Sequence, residues 1–451
     1  MKLKHIPKLD PNFKPLSVLF REAKEVPSKE VVVALERNRS LISVFKANIP
    51  EGDFDTRYSL GERLVKTLLW LKGGFRIYFA GDDEVGNAIK ADYAKGGKRD
   101  FDNNFMSDIY RSEFEVIVCS KDEIPDENEA PSSVGRNLDG CRIGFDAGGS
   151  DRKVSAVIDG KAVYSEEVVW FPKLNSDPKY HYNGILEAFK TAASKMPRVD
   201  AIGVSSAGIY IDNQIMVASL FLKVPKEEYD KSVLNMYLDV AKEIGDVPIE
   251  VANDGDVTAL AGAMELNDTN ILGIAMGTSE AAGFIDSKGN ITGWLNELAF
   301  VPVDANKDSM IDEWSGDYGC GVKYFSQDGV IKLAPAAGIE LDENLSPAEK
   351  LKVVQKRMAE GDERAKDVFE SIGIYFGYAL AYYAMFYDIK HVLIMGRVTS
   401  GEGGVLILEN AKKVLKDEFS SLYETMNLHI PDENSRRVGQ SVAAASLPKI
   451  N

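Results

Sequence analysis

A short pattern occurs twice in the chain, at residues 143 and 272, and it limits the folds that this chain can adopt. The segment IGFDAGGSD (143–151) aligns with LGIAMGTSE (272–280) without a gap. In both copies, an apolar strand leads into a glycine-containing turn and then into a second apolar strand. Such a repeat predicts two similar lobes, and ligands commonly bind in the cleft between two lobes.

The rest of the chain alternates strand-like and helix-like segments, which predicts an α/β fold. Residues 121–140 are acidic, contain Pro, Ser and Gly, and lack apolar periodicity, so they are typical of a linker. We therefore expect a small α/β module over 1–140, a first lobe over 141–265 and a second lobe over 266–451. Within the module, the pattern predicts strands at 31–38, 40–47, 75–81 and 114–120. It also predicts a helix at 56–73.

The charge of the chain argues against two classes of partner. The 451 residues carry a net charge of −17. Residues 1–140 contain 22 Lys and Arg and 24 Asp and Glu, a net of −2, so the remainder carries −15. An acidic chain is poorly suited to nucleic acid or anionic membranes, and no apolar run approaches the about 18 residues of a membrane span. We expect neither a nucleic-acid nor a membrane partner.

The cysteines and the first residues predict a location. Three cysteines, Cys119, Cys141 and Cys320, are too few for a disulfide framework and indicate a reducing compartment. The opening residues MKLKHIPKLDPNFKP lack the apolar core of an export signal. A cytoplasmic protein is therefore expected.

The first glycine turn has the residues of a phosphate site. Gly148 and Gly149 leave backbone amides free to face an anion, Ser150 adds a hydroxyl and Lys153 adds positive charge. Asp146, at the end of the preceding strand, is suited to bind Mg²⁺ through water. We predict phosphate binding here. Taken alone, the same residues are also compatible with a simple hairpin turn.

The second glycine turn is a weaker copy of the first. Gly277 supplies bare backbone, and the hydroxyls of Thr278 and Ser279 are suited to bind a phosphate. Glu280 follows directly, and its carboxylate is expected to repel a phosphate unless a cation intervenes. An ordinary turn between two strands is the alternative.

A carboxylate follows a third apolar strand, in EVANDGDVTAL. Asp254 is placed to accept a proton from an alcohol, and Asn253 to orient that alcohol by hydrogen bonds. The alternative is an Asx turn that caps the next helix. Asp256 competes for the role of base.

Two later segments complete the candidate site. Glu297, in GWLNELAF, is suited to accept hydrogen bonds from a polyol. Gly396 ends an apolar strand in VLIMGRV, and a nucleoside could lie against its bare backbone. A surface carboxylate and an ordinary strand-to-helix turn are the alternatives.

Taken in order, these motifs resemble the ROK (repressor, ORF, kinase) sugar kinases of the sugar-kinase/actin/Hsp70 superfamily. The resemblance covers residues 141–451 and rests on seven segments: DAGGS (146–150), SSAG (205–208), AND (252–254), GTS (277–279), NE (296–297), IMGRV (394–398) and VGQSVAAASL (438–447). It implies two RNase H-like lobes, that is, an actin-like ATPase fold around a central cleft, with ATP and Mg²⁺ as cofactors and a homodimer as the assembly.

The resemblance also assigns roles to the candidate residues. It implies that Asp254 is the general base and that Asn253 and Glu297 contact the sugar. The phosphate contacts it implies are Gly148, Gly149, Gly277 and Thr278, and Gly396 would face the nucleoside. The expected function is therefore ATP-dependent phosphorylation of a hydroxyl of a small-molecule sugar or sugar derivative.

The sequence departs from the family pattern at several points. ROK kinases usually carry ExGH followed by a cysteine-rich zinc loop, whereas here Glu297 precedes Leu-Ala-Phe and only Cys320 follows, so no zinc is expected. Ser279 and Glu280 stand where glycines are common. These departures keep open a non-catalytic sugar- or nucleotide-binding sensor and an ATPase that acts on a partner. The balanced charge and alternating elements of 1–140 disfavour a DNA-binding winged helix.

Overall fold

A computed structural model describes residues 2–129, 134–431 and 433–450, without the side chains of 433–438. Residues 130–133 of the predicted linker lie outside the described residues. The N-terminal part forms these elements: α1 (Leu16–Ala23), β1 (Ser28–Glu36), β2 (Ile42–Pro50), α2 (Phe54–Lys72), β3 (Arg76–Ala80), α3 (Asp83–Asp92), α4 (Asp100–Tyr110) and β4 (Glu115–Val118).

The N-terminal strands form one sheet with the order β2-β1-β3-β4. β1 pairs antiparallel with β2 and with β3, and β3 pairs parallel with β4. The apolar run VVVAL at 31–35 is buried, because β1 lies inside the sheet with a neighbour on each side. The four strands predicted in this part of the chain are confirmed.

Helix α2 is bounded by local signals that the sequence displays. It begins after Asp53, whose carboxylate accepts the amide of Thr56 at 3.0 Å. It ends at Gly73, which has a φ of +84° that only glycine adopts without strain. The helix predicted at 56–73 is confirmed, and its second half is buried.

The middle of the chain forms the second sheet and its helices: β5 (Cys141–Ala147), β6 (Asp151–Ile158), β7 (Lys161–Val169), α5 (Pro178–Ala193), β8 (Ala201–Ser206), β9 (Ile209–Ile211), β10 (Gln214–Val217), α6 (Lys226–Ser232), α7 (Met236–Ile244), β11 (Ile249–Asn253) and α8 (Asp254–Leu266). The sheet order is β11-β8-β5-β6-β7. β11, β8 and β5 run parallel, while β6 and β7 complete an antiparallel meander.

The register of the parallel strands determines which residues meet at their carboxyl ends. Asp146 of β5 lies opposite Ser205 of β8, and Ser205 lies opposite Ala252 of β11. Asp254 is two residues beyond Ala252. Asp146 and Asp254 therefore project from the same edge of one sheet, where polar groups of α/β proteins commonly meet a ligand.

The C-terminal part forms these elements: β12 (Ile271–Met276), β13 (Glu280–Ile285), α9 (Gln327–Ala336), α10 (Pro347–Ala359), α11 (Glu363–Tyr383), β14 (His391–Met395), α12 (Glu402–Glu418), α13 (Ser420–Thr425), β15 (Asn427–His429) and α14 (Glu433–Ala445). The sheet order is β13-β12-β14-β15. The repeat is confirmed as two hairpins, β5-β6 and β12-β13. The third strand of the second meander is reduced to one bridge, between Ile285 and Ile291.

The repeated glycines lie where helices pack against strands. A Cβ on Gly144 would be 1.9 Å from the Ser441 carbonyl oxygen of α14. In the second copy, a Cβ on Gly273 would be 3.4 Å from Ala259 of α8. A side chain is thus excluded at Gly144, and both copies bring a helix close to the first strand of the hairpin.

The chain divides into two compact units. One unit comprises Met1–Ala130, Ile274–Ala282 and Trp294–Ile430, and the other comprises Pro131–Gly273, Gly283–Gly293 and Pro431–Asn451. The N-terminal residues therefore share a unit with most of the C-terminal part. The predicted functional division at residues 140 and 265 stays a prediction. No described helix is both long and apolar enough to cross a membrane.

A buried ion cluster joins the N-terminal residues to the loop that follows Phe300. Arg63 and Arg99 each lie 2.9 Å from a carboxylate oxygen of Asp317, and Lys66 lies 3.5 Å from it. The carboxylates in the cluster are Glu62, Asp102 and Asp317. Burial alone would raise the pKa of Asp317, but these cations, Arg63 first, lower it well below its ordinary value.

Candidate active site

The first glycine turn, residues 148–150, is fastened by Trp170. The indole Nε1–H of Trp170 donates to the Gly148 carbonyl oxygen at 2.8 Å, and the Trp170 amide donates to the Ser150 carbonyl oxygen at 3.1 Å. Trp170 is buried, so the turn has a defined shape. Among the described residues, no acceptor takes the amides of Gly149 or Ser150. These amides are available to an anion, and phosphate binding at this turn stays a prediction.

Two of the predicted anion ligands contact Asp151. The Ser150 hydroxyl donates to Asp151 Oδ2 at 3.1 Å, and Lys153 Nζ lies 3.4 Å from Asp151 Oδ1. Lys153 is also close enough to Asp146 to lower its pKa. The role of Ser150 and Lys153 as phosphate contacts stays a prediction, and it requires them to turn from Asp151 toward the ligand.

Asp146 lies at the end of β5 with one oxygen bound. Ser205 Oγ donates to Asp146 Oδ1 at 3.0 Å, and Gln440 Nε2 lies 3.4 Å from the same oxygen. Burial and then the charge of Asp254 raise the pKa of Asp146 to about 6. No described donor reaches Oδ2. A free carboxylate oxygen beside a second carboxyl fits a hydrated Mg²⁺, which is bound by oxygen ligands and keeps several waters.

Asn253 and Asp254 form the junction between β11 and α8. Asn253 Oδ1 accepts the Gly255 amide at 2.8 Å, and Asn253 Nδ2 donates to the Gly208 carbonyl oxygen at 2.7 Å. Asn253 thus caps α8, which was the alternative to a sugar contact, and its sugar contact stays a prediction. Asp254 Oδ1 also accepts the Gly255 amide, at 3.0 Å. Burial raises the pKa of Asp254, which strengthens it as a base.

The Asp256 side chain is held by a hydrogen bond inside the protein. Its Oδ1 accepts the backbone amide of Phe284 at 3.2 Å, and its side chain is buried. A Cβ on the neighbouring Gly283 would lie 2.3 Å from the Gly255 backbone, so α8 and this segment are in close contact. Asp254 is accordingly the better placed of the two candidates to meet a substrate.

The second glycine turn, residues 277–279, is anchored through Gly277. Its carbonyl oxygen accepts the Gln327 amide at 2.9 Å, and its amide donates to the Ser279 carbonyl oxygen at 2.9 Å. Thr278 and Ser279 are exposed, and their hydroxyls have no partner in the described part of the chain. The turn therefore presents two hydroxyls, as its predicted role requires.

Glu280 lies inside the protein at the start of β13. Only 3% of its surface is exposed, and no described group donates to either carboxyl oxygen. A Cβ on Gly321 would be 2.4 Å from Glu280 Oε2. Burial, and then the charge of Glu297, raise the pKa of Glu280 well above its ordinary value, which favours the protonated form of this carboxyl. A protonated carboxyl exerts no ionic repulsion, and the repulsion of a phosphate expected from Glu280 stays a prediction.

Glu297 follows a segment that is bound to α2. The amides of Asn296 and Glu297 donate to the carbonyl oxygens of Leu71 and Trp70, at 3.0 and 3.1 Å. These carbonyls belong to the last turn of α2, where helical acceptors are missing partners. The Asn296 side chain also accepts the Tyr387 hydroxyl at 2.9 Å. The position of the half-buried Glu297 is therefore set by the N-terminal part.

Gly396 adopts a conformation that requires glycine. Its φ is +100°, and a Cβ would lie 2.4 Å from the Met276 carbonyl oxygen. The Gly396 carbonyl oxygen accepts the amide and the hydroxyl of Thr399, at 3.2 and 3.0 Å. The turn is thus closely packed against β12, and a nucleoside contact at Gly396 stays a prediction.

The predicted site residues fall in both units. Asp146, Gly148, Gly149, Ser150, Lys153, Asn253 and Asp254 belong to the unit with the second sheet. Gly277, Thr278, Ser279, Glu297 and Gly396 belong to the unit with the N-terminal residues. Across the described ranges, His, Cys, Asp and Glu side chains form no group of three that could bind a metal ion.

Lys173, which belongs to none of the sequence motifs, lies beside the first glycine turn. A Cβ on Gly149 would be 2.8 Å from Lys173 Cε and 3.0 Å from its Nζ. The meander contained the signal: Asp151 of β6 pairs with Val169 of β7, so residues just after β7 lie at the end of the sheet that bears the turn. A lysine there adds a cation to the candidate site.

Comparisons with known proteins identify relatives of this arrangement. The protein-family model described as "ROK family" matches residues 142–442. A ROK hexokinase from Thermus thermophilus has a TM-score of 0.52 at 16% identity, over 67% of this chain and 97% of that one. A ROK family transcriptional regulator, a homologue of the Escherichia coli MLC protein, has a TM-score of 0.53 at 18% identity, over 69% and 79%. A search of curated sequences finds no match. At these identities the likeness establishes the actin-like ATPase fold.

Proposed function

The chain belongs to the ROK family, and on that basis we propose that it is an ATP-dependent kinase of a sugar or sugar derivative. The main support is the placement of Asp146 and Asp254 at the carboxyl ends of parallel strands in one sheet. Asp146 is two residues before the first glycine turn, whose amides at 149 and 150 are available. Phosphoryl transfer needs little more from a protein than such positioning and charge neutralisation.

The proposed reaction assigns the proton to Asp254. As a sugar hydroxyl attacks the γ-phosphorus of ATP, a new oxygen–phosphorus bond forms and the bond to the β-phosphate oxygen breaks. The electron pair of the broken bond leaves with ADP, and the hydroxyl proton passes to the Asp254 carboxylate. The raised pKa of Asp254 favours this transfer, because a base is most effective when its pKa approaches the working pH.

The other residues bind and orient in this proposal. The free Oδ2 of Asp146 would hold a water of Mg²⁺, and Mg²⁺ bound with ATP would supply charge neutralisation at the phosphates. The amides at Gly149 and Ser150 and the hydroxyls of Thr278 and Ser279 would bind phosphate oxygens. Glu297 would accept hydrogen bonds from the sugar. The likeness to a hexokinase is compatible with a hexose-like substrate.

A substrate panel with one variant and one control tests the proposal. ADP release would be measured with ATP and Mg²⁺ against hexoses, amino sugars, polyols and sugar acids. The wild type should release ADP only with its sugar, and Asp254→Asn should lose at least about 100-fold in kcat. Glu265→Gln, an exposed carboxylate on the same helix, is the matched control and should match the wild type. Full activity of Asp254→Asn would refute the assignment of the base.

A second candidate function is a sensor that binds a sugar without turnover. Two observations favour it: the likeness to a ROK transcriptional regulator, and the engagement of the Asn253 amide with backbone. In that case calorimetry would detect sugar binding, while no sugar of the panel would produce ADP. The balanced charge of residues 1–140 still disfavours a DNA-binding role for that part.

A further inference from the structure

The cations near the first glycine turn differ in whether they already have an ion-pair partner. Lys153 lies 3.4 Å from Asp151, and Arg152 is paired with Glu187 at 2.5 Å. Lys173 differs, because its ammonium group has neither an ion pair nor a hydrogen bond with any described residue. It is thus the cation at this turn that can bind an incoming anion without first losing a partner.

The Lys173 side chain extends to the turn from an anchored segment of the backbone. It lies in a short 3₁₀ helix, Pro172–Leu174, which begins two residues after Trp170. Trp170 is bound to both ends of the turn through Gly148 and Ser150, so the turn and the start of this helix share one anchor. The lysine side chain then extends over Gly149, where a Cβ would be 3.0 Å from Nζ. The absence of a side chain at Gly149 provides the space for this ammonium group.

The same lysine is also near the proposed base. Its charge lowers the pKa of Asp254, which acts against the increase caused by burial. Lys173 therefore lies within electrostatic reach of both the turn that would bind a phosphate and the carboxylate that would accept the proton. A phosphoryl group in transfer between ATP and a hydroxyl has to pass between these two features.

We propose that Lys173 is a catalytic residue whose ammonium group contacts the phosphoryl group during its transfer. The proposal rests on the kinase function proposed above. Negative charge on the three outer oxygens of that group needs a cation in the transition state, and a lysine supplies it as a compact point charge. Lys173 is exposed, so its side chain keeps the freedom to follow the phosphoryl group.

The test compares Lys173→Met with Lys179→Met, an exposed lysine six residues later on α5. Both changes leave the fold intact, because neither side chain is buried, and matching melting temperatures would verify this. Lys173→Met should lower kcat by about 100-fold with little change in the KM for sugar. Lys179→Met should match the wild type, and Lys173→Arg should recover part of the loss.

A binding measurement separates this proposal from the proposed function. The affinities for ADP and for the non-hydrolysable ATP analogue AMPPNP would be measured by calorimetry with Mg²⁺. Lys173→Met should weaken the binding of AMPPNP about 10-fold more than the binding of ADP, because only the analogue has the γ-phosphate group. If the wild type makes no sugar phosphate, the kinase function fails, and this ratio still tests the contact. An unchanged ratio together with an unchanged kcat would overturn the role of Lys173.

Discussion

Arg63 donates a hydrogen bond to Asp317 at 3.2 Å, although the two residues lie 254 positions apart in the chain. Asp317 also lies 2.9 Å from Arg99, and the three side chains are almost completely buried. The bond ties α2 of the N-terminal part to the loop that follows Phe300. Long-range ion pairs thus hold this loop against the N-terminal part.

Replacement of Asp317 by Asn should destabilise the protein by about 3–5 kcal/mol. The change leaves Arg63, Lys66 and Arg99 buried without their shared carboxylate, and an uncompensated buried charge is costly. Urea unfolding measures the effect. Asp308→Asn, an exposed carboxylate in the same loop, is the control and should stay within about 0.5 kcal/mol of the wild type. Equal stability of the two variants would contradict the importance of the cluster.

Removal of residues 1–129 should abolish folding of the remaining chain. Those residues supply the cations for Asp317, and Phe13 packs edge-on against Tyr375 at 4.7 Å between ring centroids. They also supply the carbonyl oxygens bound by the amides of Asn296 and Glu297. We expect the truncated chain to be insoluble or to lack a cooperative thermal transition by circular dichroism. A soluble fragment with a sharp transition would show that the N-terminal part is a separable domain.

Replacement of Glu280 by Gln should stabilise the protein at neutral pH. Burial raises the pKa of Glu280 above the ordinary 4.5, so the folded protein must take up a proton that the unfolded chain has released. Wild-type stability should therefore fall as pH rises above about 4.5, by up to 1.4 kcal/mol per pH unit, until the folded-state pKa is reached. Glutamine avoids this loss.

Urea unfolding of Glu280→Gln at several pH values between 4.5 and 8 checks this prediction. The advantage of the variant should be absent near pH 4.5 and should grow as the pH rises. Glu265→Gln controls for the loss of an exposed charge. An advantage that is independent of pH would mean that the carboxyl is ionised in the folded protein.

Replacement of Gly396 by Ala should destabilise the protein by about 2–4 kcal/mol, because the new Cβ meets the Met276 carbonyl oxygen and the φ of +100° is strained. Gly401→Ala is the matched control. Gly401 has a φ of +70° but no atom within 4 Å of the added Cβ. Gly401→Ala should therefore lower the free energy of unfolding by only about 1 kcal/mol. Similar losses in thermal stability would assign the cost to φ alone.

Elements with local signals could be predicted from the sequence. Asp53 and Gly73 bound α2, and the apolar run at 31–35 identifies a buried strand. The glycine repeat located both hairpins, since its spacing reflects two strands and a turn. Helix α5 likewise begins at a local signal, because Asp177 caps it and Pro178 occupies its first position.

The site was less predictable where one residue type serves two purposes. Asn253 can contact a ligand or cap a helix, and only the folded structure shows its bonds to Gly255 and Gly208. The burial of Glu280 could not be predicted, because nothing in the local sequence indicates it. The pairing of Arg63 with Asp317 depends on the folded chain, so no sequence window contains it.

The bonds from Asn296 and Glu297 to the end of α2 couple the motions of these parts. An amide bonded to a helix carbonyl exchanges with solvent only when that bond opens. The segment that leads to Glu297 therefore acquires the rigidity of a long buried helix, although it has no regular structure of its own. Any rearrangement of Glu297 on ligand binding must either open these two bonds, which would speed hydrogen exchange at the amides of Asn296 and Glu297, or carry the end of α2 with it.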